Sequence, residues 1–211
     1  YNILGDGVKM KNKKLCVVAI ILGLVFVINT ILVVCGLTTG FDNFIYSLVR
    51  NLECGFFDAY FVGVTRLGDV SVVIGIVLIL CLIFRNRHSI MFIVLAANSA
   101  LTNKLVKHII CRERPDVLKL VKQGGYSYPS GHSMIAMSIY GYLLYLAFTR
   151  IKNKTLKWIC SIILSILILS IGISRVYVGV HYASDVLGGF AFALLELMLI
   201  VNYSEKHFRG N

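Results

Sequence analysis

Three short stretches of this chain carry residue types suited to handling a phosphate group. His181 is followed four positions later by Asp185, and in a helix beginning near His181 the two share a face one turn apart. A carboxylate bonded to one ring nitrogen fixes the tautomer of an imidazole and leaves the other nitrogen free as a nucleophile. Pro129, Ser130, Gly131 and His132 stand directly before a strong apolar run, with Ser130 placed as a helix N-cap. Such a helix directs free amides around Gly131, His132 and Ser133 outward, and an end of this kind binds anions. Gly131 lets an anion approach the backbone closely. Lys107 and Arg114 are seven residues, or two helical turns, apart. Two cations beside a helix N-terminus neutralise a dianion, and Arg114, set in a turn by Pro115, can grip it with two nitrogens.

Each stretch also has a plain structural reading. Pro129 to His132 would suit an ordinary capped transmembrane helix, Lys107 and Arg114 could be basic residues snorkelling at a span end, and a histidine at a helix end is often only interfacial. His181 stands out because Asp185 follows it and Arg175 precedes it.

The elements that must position these residues are membrane helices. The chain has 211 residues, of which 58% are hydrophobic and 15% charged, with a mean hydropathy of +0.82; this is far more apolar than a soluble domain. Its apolar residues fall in six blocks, at about residues 15–37, 70–84, 90–110, 133–148, 156–173 and 182–201, each read as a span of a hydrocarbon core about 30 Å thick. The second block is short and is expected to begin upstream, around Arg66. Residues 41–67 mix apolar side chains with Asp42, Arg50, Glu53, Asp58 and Arg66, a pattern suited to interfacial helices. The expected fold is therefore all-α and polytopic, with six transmembrane helices and interfacial helices between the first two.

The net charge of +11 does not form a nucleic-acid patch. Of the 21 Lys and Arg residues, 12 sit in four segments: Lys9, Lys11, Lys13 and Lys14; Arg85 and Arg87; Arg150, Lys152, Lys154 and Lys157; Lys206 and Arg209. The positive-inside rule puts these segments, and both termini, in the cytoplasm. The first block is longer than a signal-peptide core and is read as retained. Residues 1–14 read as a basic cytoplasmic segment, 15–203 as one membrane domain and 204–211 as a cytoplasmic tail. Met10 looks like a natural start, which would make residues 1–9 a non-native remnant. Six scattered cysteines show no zinc-ligand spacing; Cys54 and Cys111 are expected to share the outer side, with no support for a disulfide between them.

Taken together, Lys107, Arg114-Pro115, Pro129-Ser130-Gly131-His132, Ser174-Arg175, His181 and Asp185 resemble the signature of the type-2 phosphatidic acid phosphatase family. That family also takes in bacterial lipid phosphatases, glucose-6-phosphatase and the vanadium haloperoxidases. No fixed position departs from the pattern, and the six-block layout extends the likeness over about residues 15–203. The resemblance implies that Lys107, Arg114 and Arg175 clamp the phosphate oxygens, with Ser130 and the Gly131 amide completing the cradle. It implies His181 as nucleophile held by Asp185, and His132 as general acid. It implies no metal and no cofactor, because three cationic side chains do the neutralising.

The expected activity is metal-independent hydrolysis of a membrane lipid phosphate or diphosphate through a phosphohistidine, at the outer face of a bacterial plasma membrane. Undecaprenyl diphosphate, a cell-wall lipid, ranks first as substrate because the chain is compact, its site faces out and its composition suits a low-GC bacterium. Phosphatidylglycerophosphate or phosphatidic acid ranks second, and lipid-to-lipid phosphotransfer is a further alternative. A transporter or channel would show dispersed intramembrane charge instead. Asn29, Asn98, Asn103 and Glu196 lie within spans and are expected to face the bundle interior. Lys104, Arg66 and Asp69 are placed at the outer mouth without a catalytic role. Trp158, Tyr126, Tyr128 and Tyr203 are read as interfacial. No nucleic-acid partner is expected, and oligomeric state is not readable.

Overall fold

The computed structural model of the chain describes residues 3–84 and 87–207, with side chains from Lys14 onward. Among the described residues the chain is helical without strands, in the order α1 (Ile3–Val34), α2 (Thr39–Arg50), α3 (Gly55–Thr65), a 3₁₀ turn (Arg66–Gly68), α4 (Val70–Ile83), α5 (Arg87–Ile110), α6 (Gly131–Arg150), α7 (Lys154–Tyr177) and α8 (Ala183–His207). Arg85 and Arg209, counted above among the cytoplasmic cations, lie outside the described residues. So do the ends of the terminal segments and the side chains of Lys9, Lys11 and Lys13.

Four helices, α1, α5, α7 and α8, are long and apolar enough to cross a membrane. A fifth crossing is available as a broken one: α4 has 14 residues, only about 21 Å of helix, but α3 with its 3₁₀ turn meets it at a bend of 61° and the pair together is long enough. The upstream start expected for the second block is therefore this break at Arg66–Gly68. Of the segments read as interfacial, α2 stays separate, whereas α3 is continuous with α4.

The remaining block forms α6, 20 residues long. It is less apolar than the others because Ser133, Ser138, Tyr140, Gly141 and Tyr142 interrupt it, and these are among its buried residues. The physical reason is its position: α6 packs against α5, α7 and α8 together. A helix surrounded by protein meets little lipid, and small residues let its neighbours approach closely. A Cβ on Gly141 would stand 3.0 Å from Leu197 of α8. The peripheral helices show the reverse pattern. On α7, Ile159, Ile162, Ile163, Ile166 and Leu169 are about half exposed while Ile168, Ile171 and Gly172 are buried. Apolar side chains facing outward on such a helix suit hydrocarbon, where the helix already satisfies its own backbone groups.

Helix direction follows from cross-helix contacts. Gly23 faces Leu195 and the Asn29 amide donates to the Ser184 carbonyl at 3.0 Å, so α1 runs antiparallel to α8. The C-termini of α5 and α7 and the N-termini of α6 and α8 then share one end of the bundle. Lys14, Arg87, Arg150, Lys154 and Lys206 mark the other.

The loop 127–130 is seated on α8 through Gly188 and Gly189. A Cβ on Gly188 would lie 2.4 Å from the Tyr128 hydroxyl, and one on Gly189 would lie 2.8 Å from the Ser130 carbonyl oxygen. Backbone cannot yield as a side-chain tip can, so Gly189→Ala should destabilise the protein by about 1–3 kcal/mol and lower activity. Thermal unfolding in detergent checks the first outcome and phosphate release the second.

Candidate active site

His181 lies between α7 and α8, 2% exposed, and Asp185 is on the first turn of α8, fully buried. His181 Nδ1 is 3.2 Å from Asp185 Oδ2, and Nε2 is 3.1 Å from Arg114 Nη1. An arginine nitrogen only donates, so Nε2 accepts and the ring proton sits on Nδ1, directed at Asp185. Burial is the main cause that pushes His181 down to about 3, outweighing Asp185 and reinforced by Arg175 and Arg114. The imidazole is therefore neutral near pH 7, with its lone pair on Nε2 turned to Arg114.

The expected phosphate ligands converge on this ring. Arg114 donates from Nη1 to the Val180 carbonyl at 2.7 Å and from Nε and Nη2 to the Gly124, Gly125 and Tyr126 carbonyls. Burial lowers its pKa, opposed by the Asp185 charge. Arg175, 1% exposed, donates to Thr65 Oγ1 at 2.6 Å and Gln123 Oε1 at 3.0 Å, while its buried Nε has no partner. Lys107, in the last turn of α5, is within electrostatic reach of Arg114, Arg175 and Asp185.

Ser130 does cap α6. Its hydroxyl accepts from the Ser133 amide at 3.4 Å and from the Ser133 hydroxyl at 3.0 Å, and its own amide donates to the Asp185 carbonyl at 3.0 Å. The amides of Gly131 and His132 open the helix, where no intrahelical acceptor exists. Gly131 is close-packed as well as permissive, since a Cβ there would meet Asn103 Oδ1 at 3.0 Å. Asn103 in turn donates to the Pro129 carbonyl at 2.9 Å.

Several partners were not visible in the motifs. Asp185 Oδ1 accepts from Arg112 Nη1 at 2.6 Å, while Oδ2 accepts from the Ser127 hydroxyl and, at 2.9 Å, from the Tyr182 amide. Arg112 Nη2 reaches Asp42 Oδ2 at 2.8 Å. Asp42 also accepts from the Ser184 amide and hydroxyl, both at 2.8 Å. Arg112 lies 3.9 Å from the Tyr182 ring centroid. Burial works against the Arg112 charge, but Asp185 and Asp42 outweigh it and raise its pKa. Asp42 comes from α2, 70 residues away in sequence, so no local spacing announces it. Asp69, placed above at the outer mouth, bonds His132 Nε2 at 2.9 Å.

Tyr128 corrects its interfacial reading. It is fully buried and its hydroxyl meets Asn29 Nδ2 at 3.2 Å and Thr30 Oγ1 at 2.8 Å. Tyr126, Trp158 and Tyr203 are exposed. Asn29 is buried as expected, and Glu196 faces the bundle interior with its Oε2 buried and without a hydrogen-bond partner. Cys54 and Cys111 are both exposed free thiols. Among the described residues, no group of three or more His, Cys, Asp or Glu side chains could hold a metal ion.

A helical membrane fold that gathers this set of residues at one end defines an integral-membrane lipid phosphatase, an enzyme that hydrolyses phosphate esters. Residues 87–209 match the PAP2 superfamily, and the chain belongs to it. Over 152 residues it is 34% identical to phosphatidylglycerophosphatase B of Bacillus subtilis (strain 168), covering 68% of this chain and 73% of that one. It is 27% identical over 158 residues to the undecaprenyl-diphosphatase of Sulfolobus acidocaldarius, covering 72% of each. The fold superposes on the crystal structure of a transmembrane PAP2-type phosphatidylglycerolphosphate phosphatase from Bacillus subtilis with a TM-score of 0.82 at 29% identity, over 92% of this chain and 98% of that one. It superposes on Aquifex aeolicus LpxE with a TM-score of 0.65 at 22% identity, over 77% and 96% of the two chains, a likeness of fold.

Two outcomes follow from the buried charges. Asp42→Ala leaves Arg112 with one carboxylate in place of two and should destabilise the protein by about 3–5 kcal/mol, read as a lowered thermal midpoint in detergent. His181 binds a proton more readily unfolded than folded, so its contribution to stability is full above about pH 6.5 and is lost as pH falls toward about 3. The thermal midpoint of wild type should accordingly fall more between pH 7 and pH 5 than that of His181→Asn.

Proposed function

We propose that the chain removes the phosphate monoester of a membrane lipid by way of a phosphohistidine on His181. The observation that carries this reading is the ring of His181, with Nδ1 on Asp185 and Nε2 turned to the Arg114 guanidinium. Arg114, Arg175 and Lys107 hold the non-bridging oxygens, and the Gly131 and His132 amides at the start of α6 add donors where charge builds on a trigonal-bipyramidal phosphorus. Nε2 attacks in line and forms the N–P bond as the P–O bond to the lipid breaks. His132 gives its proton to the departing oxygen. Asp185 stabilises the positive ring of phospho-His181. Water, deprotonated by the now neutral His132, then attacks phosphorus; the N–P electrons return to His181 and inorganic phosphate leaves. Three cations offset the phosphate charge in this scheme, which has no step through a metal.

The substrate favoured is phosphatidylglycerophosphate. The 34% identity and the TM-score of 0.82 to Bacillus proteins named for that lipid support ranking it ahead of undecaprenyl diphosphate, which stood first on the sequence. Undecaprenyl diphosphate is the second reading, supported by the 27% identical relative. In the membrane, α6 is the sixth span, about 30 Å long, enclosed by α5, α7 and α8. The basic residues at the helix ends opposite the site support, by the positive-inside rule, a reading with both termini inside and the site on the outer face of the plasma membrane.

His181→Asn should lower turnover by roughly a thousand-fold or more while the protein stays folded. Vanadate should inhibit wild type and EDTA should not. Near-normal turnover of His181→Asn would remove His181 as the nucleophile, and phosphate release from purified phosphatidylglycerophosphate and undecaprenyl diphosphate ranks the substrates.

A further inference from the structure

We propose that Asp69 is a positioning residue for His132, holding its Nε2 so that Nδ1 delivers the proton to the departing lipid oxygen. The inference rests on the reading of His132 as general acid.

The first observation concerns what Asp69 does not do. It occupies the N-cap of α4 with extended backbone, yet its side chain makes no cap hydrogen bond. An aspartate in that place ordinarily bonds an amide of the first turn. Here the carboxylate turns away and Oδ1 meets His132 Nε2 at 2.9 Å. The histidine side chain is 13% exposed and the aspartate 47%.

The second observation is the shape of the chain beneath the ring. A Cβ on Gly68 would lie 2.6 Å from His132 Cδ2 and 2.9 Å from Cγ. The imidazole therefore stands flush against the 3₁₀ turn, at a place only glycine leaves open. Two turns further along α6, Tyr140 donates to the Leu67 carbonyl at 3.0 Å and pins the same turn. The break between α3 and α4 is thus tied to α6 at both points, and it presents Asp69 to His132.

The chemistry explains the use of a carboxylate. An imidazolium that is to donate a proton is favoured by a negative charge beside it. Asp69 is the adjacent counter-charge. With Nε2–H held by Asp69, the proton on Nδ1 passes to the oxygen as that oxygen takes the electron pair of the P–O bond. His132 is left neutral, still bonded through Nε2–H, and its Nδ1 lone pair then takes the proton of the attacking water.

Leaving-group dependence tests this. The kcat/KM for p-nitrophenyl phosphate, whose leaving group departs without a proton, is compared with that for phosphatidylglycerophosphate in detergent micelles. Asp69→Asn should lower the lipid value about 10- to 100-fold and the aryl value less than about threefold. It should cost nothing further in a His132→Ala background. Asp69→Ser, able to cap α4, should unfold at the wild-type temperature and show the same selective loss. Equal loss on both substrates, no loss on the lipid, or an added loss in the His132→Ala background overturns the inference. Should His132→Ala itself affect both substrates equally, the general-acid reading falls and the inference with it. A lipid-selective loss in His132→Ala without one in Asp69→Asn overturns the Asp69 role alone.

Discussion

Asp185 carries its charge with no exposure to water, and a buried carboxylate persists only where donors surround it. His181, Ser127, the Tyr182 amide and Arg112 supply them. Each donor comes from a segment that must therefore be brought to the start of α8. The loop after α5 contributes Arg112 and Ser127, and the turn before α8 contributes His181 and Tyr182. Arg112 is a second buried charge in partial need of compensation, and Asp42 on α2 supplies it. The chain of polar contacts from His181 to Asp42 thus fixes where the short helix α2 lies.

The same network explains the rigidity around the neutral His181 imidazole. An imidazole with its proton committed to Asp185 keeps Nε2 unprotonated only while the ring cannot rotate. Burial of His181, the Arg114 contact on one side and the aspartate on the other remove that freedom. Helix packing extends the constraint inward. Gly188 and Gly189 allow the loop 127–130 to rest on α8, and Tyr128 is held there by Asn29 and Thr30 of α1. The peripheral helix α1 consequently helps to position the cap of α6 without touching the site. Across the rest of the bundle the outer faces are apolar, and the polar residues gather at one end.

Local spacing carried much of the site into view. Ser130 to His132 precede an apolar run and do open α6, whereas His181 stands just before α8, which begins at Ala183, and meets Asp185 across the turn into that helix. The basic clusters mark the helix ends opposite the site. Block length was less reliable. Residues 70–84 are too few for a straight crossing, and the helix available to extend them, α3 with its 3₁₀ turn, joins α4 at a bend of 61° that no hydropathy pattern distinguishes from a loop. Tyr128 looked interfacial because a tyrosine beside a polar loop usually is, whereas here two side chains from α1 bury it.

What the sequence determined by itself is the helical membrane class and a set of residues, His181, Asp185, His132, Lys107, Arg114, Arg175, Ser130 and Gly131, whose types and order suit the phosphate chemistry proposed for them. These depend on residue type and order more than on helical spacing, since α5 ends at Ile110 before Arg114 and α8 begins at Ala183 after His181. Only the tertiary structure decided that Asp42 answers Arg112, that Thr65 and Gln123 answer Arg175, and that Asp69 reaches His132. Those contacts join residues 52 to 110 positions apart. Burial makes each of them necessary, because a charge removed from water must find a partner, and the packing of helices rather than the order of residues decides which partner is near.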